Sequence, residues 1–283
     1  YVALLRWSPQ GEPLVPHVAR SWTVSPDNRE FTFELRRGIK WSDGTPFTAD
    51  DVMYWWEAEA KCEELTQIPP ALMTVQGELG TVEMLGPHTV KFSFPKPYGM
   101  FLENLATWQG RVVADCPRHY LEQYHPQRGD KKLIEKAMAA RKLPTDLALY
   151  REIKRPVNPE HPRLWPWVYR THKARPPQVF VRNPYYFMVD RAGNQLPYID
   201  RLVFDTKSSD MIGLAASNGE LTLQGRHISN SDYTMLMSQR EQGNYRVLHW
   251  KAGVSEMTVW PNINRRQDDV KSRWKHKLLN DKR

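Results

Sequence analysis

The stretch from Phe31 to Val52 leaves this chain the least freedom. Phe31-Thr32-Phe33-Glu34-Leu35-Arg36 alternates apolar and polar residues with period two, so Phe31, Phe33 and Leu35 are expected to face a core from a half-buried strand. Gly38 and the turn residues Ser42-Asp43-Gly44 stop that pattern. Thr48-Ala49-Asp50-Asp51 then has the form of a helix start. The Thr48 hydroxyl can accept from the backbone N–H three residues on, while Asp51 reaches back and suits the positive end of the helix dipole. Val52, Met53, Trp55 and Trp56 give the helix a broad apolar face that can pack on the strand, and the two tryptophans read as core.

Further along, residues 82–85 and 89–94 flank Gly86-Pro87-His88, which predicts a hairpin with Val90, Phe92 and Phe94 on one face. Residues 98–106, 117–124 and 130–142 have helical spacing or composition, the last carrying Leu133, Ile134 and Met138. Residues 142–177 are rich in Pro, Arg and Trp and read as an extended connection between subdomains. Strands are expected at 178–182 and 199–206, around a turn at Ala192-Gly193-Asn194. Helices follow at 209–218 and 229–242, then strands at 245–250 and 256–260.

The 283 residues are enough for one large or two medium domains with a real core. No apolar run approaches the length of a membrane span, and the first residues lack the features of a secretory signal, so any export signal is expected upstream. Lys and Arg outnumber Asp and Glu by 40 to 32, which raises the question of nucleic acid. Most basic residues alternate with acidic ones, however, and the dense basic stretch at 271–283 reads as a solvated helix face, so no nucleic-acid partner is expected. The two cysteines, Cys62 and Cys116, belong to no CxxC or Cys/His spacing, and whether they pair is left open. HxxxH, HExxH, DxDxDG, GxSxG, GxxxxGK[ST] and GxGxxG are all absent, which removes the simplest cases for a metal, a hydrolase, an NTPase or a dinucleotide enzyme.

What remains is an aromatic content of 11%, with Trp108, Trp165, Trp167, Tyr185, Tyr186 and Trp260 beside Pro or Gly or in expected loops. Concave ligand sites favour such rigid apolar surfaces with a few hydrogen-bonding tips, although core packing is the favoured account of any single ring.

Three segments taken together resemble family 5 of the bacterial extracellular solute-binding proteins: Pro16-His17-Val18-Ala19-Arg20-Ser21-Trp22, residues 31–38, and Lys40-Trp41-Ser42-Asp43-Gly44-Thr45-Pro46-Phe47-Thr48-Ala49-Asp50-Asp51-Val52. Arg182-Asn183-Pro184-Tyr185-Tyr186 and residues 193–201 extend the likeness; Asn218-Gly219-Glu220 is similar to the family's GEID segment, with Thr222 where Asp is usual. The resemblance implies a mixed α/β fold of the periplasmic-binding-protein type II. Residues 1–160 would be a small N-terminal subdomain with a helical insertion, residues 161–283 part of lobe one, and the second lobe would be absent from this chain.

By the same resemblance the function is non-catalytic. Two lobes close around a peptide or other small solute, and the closed form docks on the membrane permease of an ABC importer. No cofactor or metal is expected, and the protein would be a monomer in the periplasm or outside the cell, with a lipid anchor left open. A sensory receptor presenting ligands on the same fold is the alternative. The segment holding Trp260, Asn262 and Asn264 corresponds to a strand bordering the family's cleft, which makes Asn262 the first candidate for a solute hydrogen bond. Trp108 and Trp167 correspond to positions facing the hinge.

Overall fold

A computed structural model describes residues 2–171, 177–249 and 268–280. The chain begins with a short antiparallel pair, β1 (Leu5–Trp7) and β2 (Leu14–Pro16), followed by β3 (Ala19–Val24) and β4 (Glu30–Leu35). β5 (Thr74–Val75) and β6 (Glu78–Leu79) form a second short pair, and the hairpin of β7 (Thr81–Gly86) and β8 (Thr89–Ser93) completes an antiparallel four-stranded sheet of order β3-β4-β8-β7. Phe31, Phe33 and Leu35 are buried as their alternation requires, with Phe31 opposite Phe92 and Phe33 opposite Val90. A kink in register between Met84 and Gly86 marks the turn of the hairpin.

Helix α1 (Ala49–Tyr54) crosses this sheet. Its capping box is complete: Thr48 accepts at its side chain, and the Thr48 N–H donates to Asp51 Oδ2 at 3.1 Å. The same carboxylate accepts from Trp41 Nε1 at 3.3 Å and, through Oδ1, from the Arg118 N–H at 2.9 Å. Burial pushes the Asp51 carboxyl up, against these hydrogen bonds. The preceding turn needs Gly44, whose φ of +92° is open to glycine and whose missing Cβ would sit 3.2 Å from the Tyr185 ring. The helix then continues as a π-helical stretch, Trp55–Ala60, that buries both tryptophans.

Helix α2 (Phe101–Leu105) lays Phe101 against the inner sheet face, within 4.7 to 6.4 Å of the rings of Phe31, Phe33, Phe92, Phe94 and Tyr98. α3 (Arg118–Leu121) and α4 (Lys131–Arg141) follow where helices were expected, α4 capped by Asp130. The reading of 142–177 as extended throughout is corrected. Asp146–Ile153 is a helix, α5, capped by Thr145 and burying Leu149, Tyr150 and Ile153. The surrounding prolines mask a cap and an apolar spacing that are sufficient for two turns.

The chain next forms an antiparallel sheet of order β11-β10-β9 from β9 (Trp167–Tyr169), β10 (Gln178–Arg182) and β11 (Arg201–Phe204). Residues 1–206 form one compact unit and 207–283 another. The second holds α6 (Ser209–Ser217), α7 (Tyr233–Gln239) and the basic, mostly exposed α8 (Val270–Asn280). In α6, Gly213 lies against the Asp232 carboxylate. Residues 245–249 form no strand, contrary to expectation, and Tyr245 instead donates its hydroxyl to the Leu236 carbonyl at 2.6 Å. The strand expected at 256–260 lies outside the described residues. Cys62 and Cys116 are free buried thiols.

Two stability measurements test this account. Asp51→Ala removes the acceptor of three separate stretches and leaves buried donors unpaired, so urea unfolding is expected to show a loss of about 3 kcal/mol. The second concerns His17, which burial and then the charges of Arg6 and Arg36 pull down to a pKa of about 4, and His161, which burial and Arg163 also lower. The unfolded chain takes up these protons near pH 6.5 and the folded chain does not, so stability is full above pH 6.5 and falls as the pH drops toward 4. Between pH 7.5 and 5.0, urea unfolding should lose about 2 kcal/mol through His17 alone, a component that disappears in His17→Gln.

Candidate functional site

The RNPYY segment turns out to be a structural knot. Asn183 is fully buried, and its side-chain amide donates to the carbonyls of Trp165 at 2.9 Å and Arg163 at 3.3 Å, while its N–H donates to Pro166 at 2.8 Å. Its carboxamide oxygen accepts from the Tyr185 N–H at 2.9 Å, which starts the turn into the following aromatics. The residue that follows β10 is thereby tied to the stretch that leads into β9.

This knot positions Trp167 at the start of β9. The indole N–H donates to the Ile199 carbonyl at 2.8 Å, so its polar edge is committed to backbone and a ring face is left half-buried. Tyr198 is 66% exposed with its hydroxyl on Asp190 at 2.6 Å, and Ile199, Val203 and Phe204 are also exposed. β10 carries no fully buried residue, in contrast to β4. β9 buries Val168 and Tyr169, whereas β11 and the two residues before Asp200 leave apolar side chains exposed among the described residues.

Trp108 opens the 3₁₀ segment Trp108–Ala114 after α2 and is 60% exposed, with the Arg111 guanidinium 5.6 Å from its ring centre. Among the described residues no hydrogen bond or ring contact joins it directly to Trp167. Trp260, Asn262 and Asn264 lie outside the described residues. No group of three His, Cys, Asp or Glu side chains among the described residues has a metal-binding arrangement.

A second feature escaped the sequence reading. Glu59, in the π-helical stretch, is buried and accepts from Tyr150 Oη at 2.5 Å and Cys116 Sγ at 3.2 Å, and it forms an ion pair with Lys154 at the end of α5. Tyr54 and Tyr150 join hydroxyls at 3.1 Å. Burial would raise the Glu59 carboxyl, but the Lys154 charge and the hydrogen bonds from Lys154, Tyr150 and Cys116 outweigh it and hold the group below the usual range. Burial followed by the Glu59 charge pushes the Cys116 thiol well up, so it stays protonated. Beside this network opens a cavity of about 380 Å³. The only local signal was an acid inside the apolar run Trp55-Trp56-Glu57-Ala58-Glu59-Ala60.

Comparison with known proteins agrees with this fold. The family "Bacterial extracellular solute-binding proteins, family 5 Middle" matches residues 13–283. The periplasmic alpha-galactoside-binding protein of Rhizobium meliloti is 32% identical over 194 residues, 68% of this chain and 25% of that protein. A solved oligopeptide-binding protein OppA is 38% identical with a TM-score of 0.81, over 88% of this chain and 40% of its own. The periplasmic binding protein MelB of Agrobacterium fabrum C58, in complex with stachyose, is 27% identical with a TM-score of 0.61, over 77% of this chain and 31% of its own. The chain therefore spans a quarter to two-fifths of the length of these relatives, which are binding proteins rather than enzymes. With the family model matching nearly its whole length and the fold superimposing on that of OppA, this chain belongs to the family 5 bacterial extracellular solute-binding proteins.

Proposed function

We propose that this chain supplies one side of a solute-binding cleft, that the solute is a peptide, and that the complete protein delivers it to the permease of an ABC importer from outside the cytoplasmic membrane. The observation that carries the reading is the exposed apolar edge of the sheet β11-β10-β9 at β11. Tyr198, Ile199, Val203 and Phe204 leave apolar surface exposed on and just before β11, with Val203 and Phe204 on opposite faces of the strand, and exposed apolar surface is what interaction sites use. A clamshell binder needs such a face, because affinity comes from closing two surfaces over the ligand. Similarity to OppA over most of the chain favours a peptide.

In the family's terms residues 1–160 are the small subdomain and 161–283 part of lobe one. The continuous hydrophobic core supports this division, since it runs from Val2 to Leu164 and excludes β9–β11, although the compact unit extends to Thr206. Asn262 is the residue proposed to hydrogen-bond the solute, with Trp260 and Asn264 beside it and Trp108 and Trp167 nearer the hinge. Among the described residues no helix is long and apolar enough to cross a membrane, and a lipid anchor is compatible with this reading.

A second reading, in which the solute is an α-galactoside, is favoured by the Rhizobium and Agrobacterium relatives. Sugars and peptides both suit exposed aromatic rings with hydrogen-bonding edges. Titration calorimetry with short peptides and with stachyose separates the two, applied to this chain and to a protein extended to the relatives' full length. The extended protein should bind a peptide on the order of a hundredfold more tightly than this chain, and Asn262→Ala in it should weaken binding about tenfold. Equal affinity of the two proteins removes the two-lobe account, and binding of stachyose alone selects the second reading.

A further inference from the structure

We infer that the cavity beside Glu59 is a binding site for a small organic oxyanion, a carboxylate or phosphate ester on an apolar body, separate from the proposed solute cleft. Its volume of about 380 Å³ is at the lower end of the range for small-molecule sites. The walls come from three elements of the first unit: the turn after the π-helical stretch, the Trp108–Ala114 segment, and the end of α5 with the residues just after it.

Charge decides what such a cavity accepts. Four cationic side chains line it, Arg111, Arg151, Lys154 and Arg155, against two carboxylates, Glu59 and Asp115. Both carboxylates are already committed. Glu59 serves Lys154, Tyr150 and Cys116, and Asp115 holds the buried Arg163 at 3.1 Å. Lys154 is neutralised by Glu59, and Arg155 reaches Glu152 at 3.2 Å. That leaves Arg111 and Arg151, to which no described carboxylate comes within ion-pairing distance.

One effect opposes an anion here, because the C-terminal end of a helix carries partial negative charge. Arg163 removes much of it. This buried guanidinium donates Nη2 to the carbonyls of Lys154 at 3.3 Å and Arg155 at 2.8 Å, so the end of α5 meets the cavity already capped by a cation. Arginine is also suited to the task, since its planar fork matches carboxylate and phosphate oxygens. The apolar part of the ligand is read from the walls, where Leu65, Val112, Pro156 and the Tyr150 ring stand between the charges. None of the residues proposed for the solute lines the cavity, so this site stands whether or not the peptide reading does.

Calorimetric titration of the 283-residue chain with phenyl phosphate, benzoate and inorganic phosphate tests the site. Saturable binding is expected for at least one of the two aromatic anions, with inorganic phosphate weaker. Arg111→Gln and Arg151→Gln, both at exposed side chains and so folded as judged by circular dichroism, should each weaken binding about tenfold or more. Arg29→Gln, on the exposed turn before β4, should leave it unchanged. Absence of saturation by both aromatic anions overturns the proposal. So does binding that survives both cavity substitutions, or a loss that Arg29→Gln reproduces, which would indicate general charge screening.

Discussion

The carboxylate of Asp51 is the constraint on which the first unit is built. Its two oxygens accept from the backbone at Thr48, the indole of Trp41 and the backbone at Arg118, three places that the chain would otherwise hold independently. Trp41 anchors the turn between β4 and α1, and Arg118 is the first residue of α3. One buried acid therefore sets the start of α1, the path of the turn before it and the approach of α3. A buried carboxylate is costly unless its lone pairs are filled, and the protein offsets that cost by using them for placement.

Aromatic packing completes the same unit. Phe101 lies on the inner face of the four-stranded sheet against five other rings, while the π-helical stretch turns Trp55 and Trp56 into the core. The π-helical geometry also carries Glu59 inward, where Lys154 and Tyr150 meet it from α5. Such an ion pair is weak grounds for stability, because desolvation offsets much of the attraction. Its consequence here is positional: it fixes the end of α5 and spends a carboxylate that would otherwise neutralise the neighbouring arginines.

The two sheets divide the labour. The four-stranded sheet closes its own core, as the buried alternation of β4 shows, whereas β10 has no fully buried residue. The knot at Asn183 braces the smaller sheet by pinning the segment before β9 to the turn after β10. The family motif Arg182–Tyr186 is thus a structural tie, with Asn183 and Tyr186 buried and Arg182, Pro184 and Tyr185 exposed.

What the amino-acid sequence determined by itself is whatever depends on near neighbours. The alternation at Phe31, Phe33 and Leu35, the capping box of Thr48 and Asp51, the hairpin about Gly86-Pro87-His88 and the family likeness all lie within spans of a few residues to a few tens, where spacing translates directly into geometry. Helix α5 was equally local but was hidden by the prolines around it. Partnership across the chain was decided only in three dimensions. Glu59 and Lys154 are 95 positions apart, and Asn183 reaches back 18 residues to Trp165. No periodicity records which distant side chain will neutralise a buried charge, since that follows from how the sheet and helices pack, and so neither the network nor the cavity beside it could be read from the chain alone.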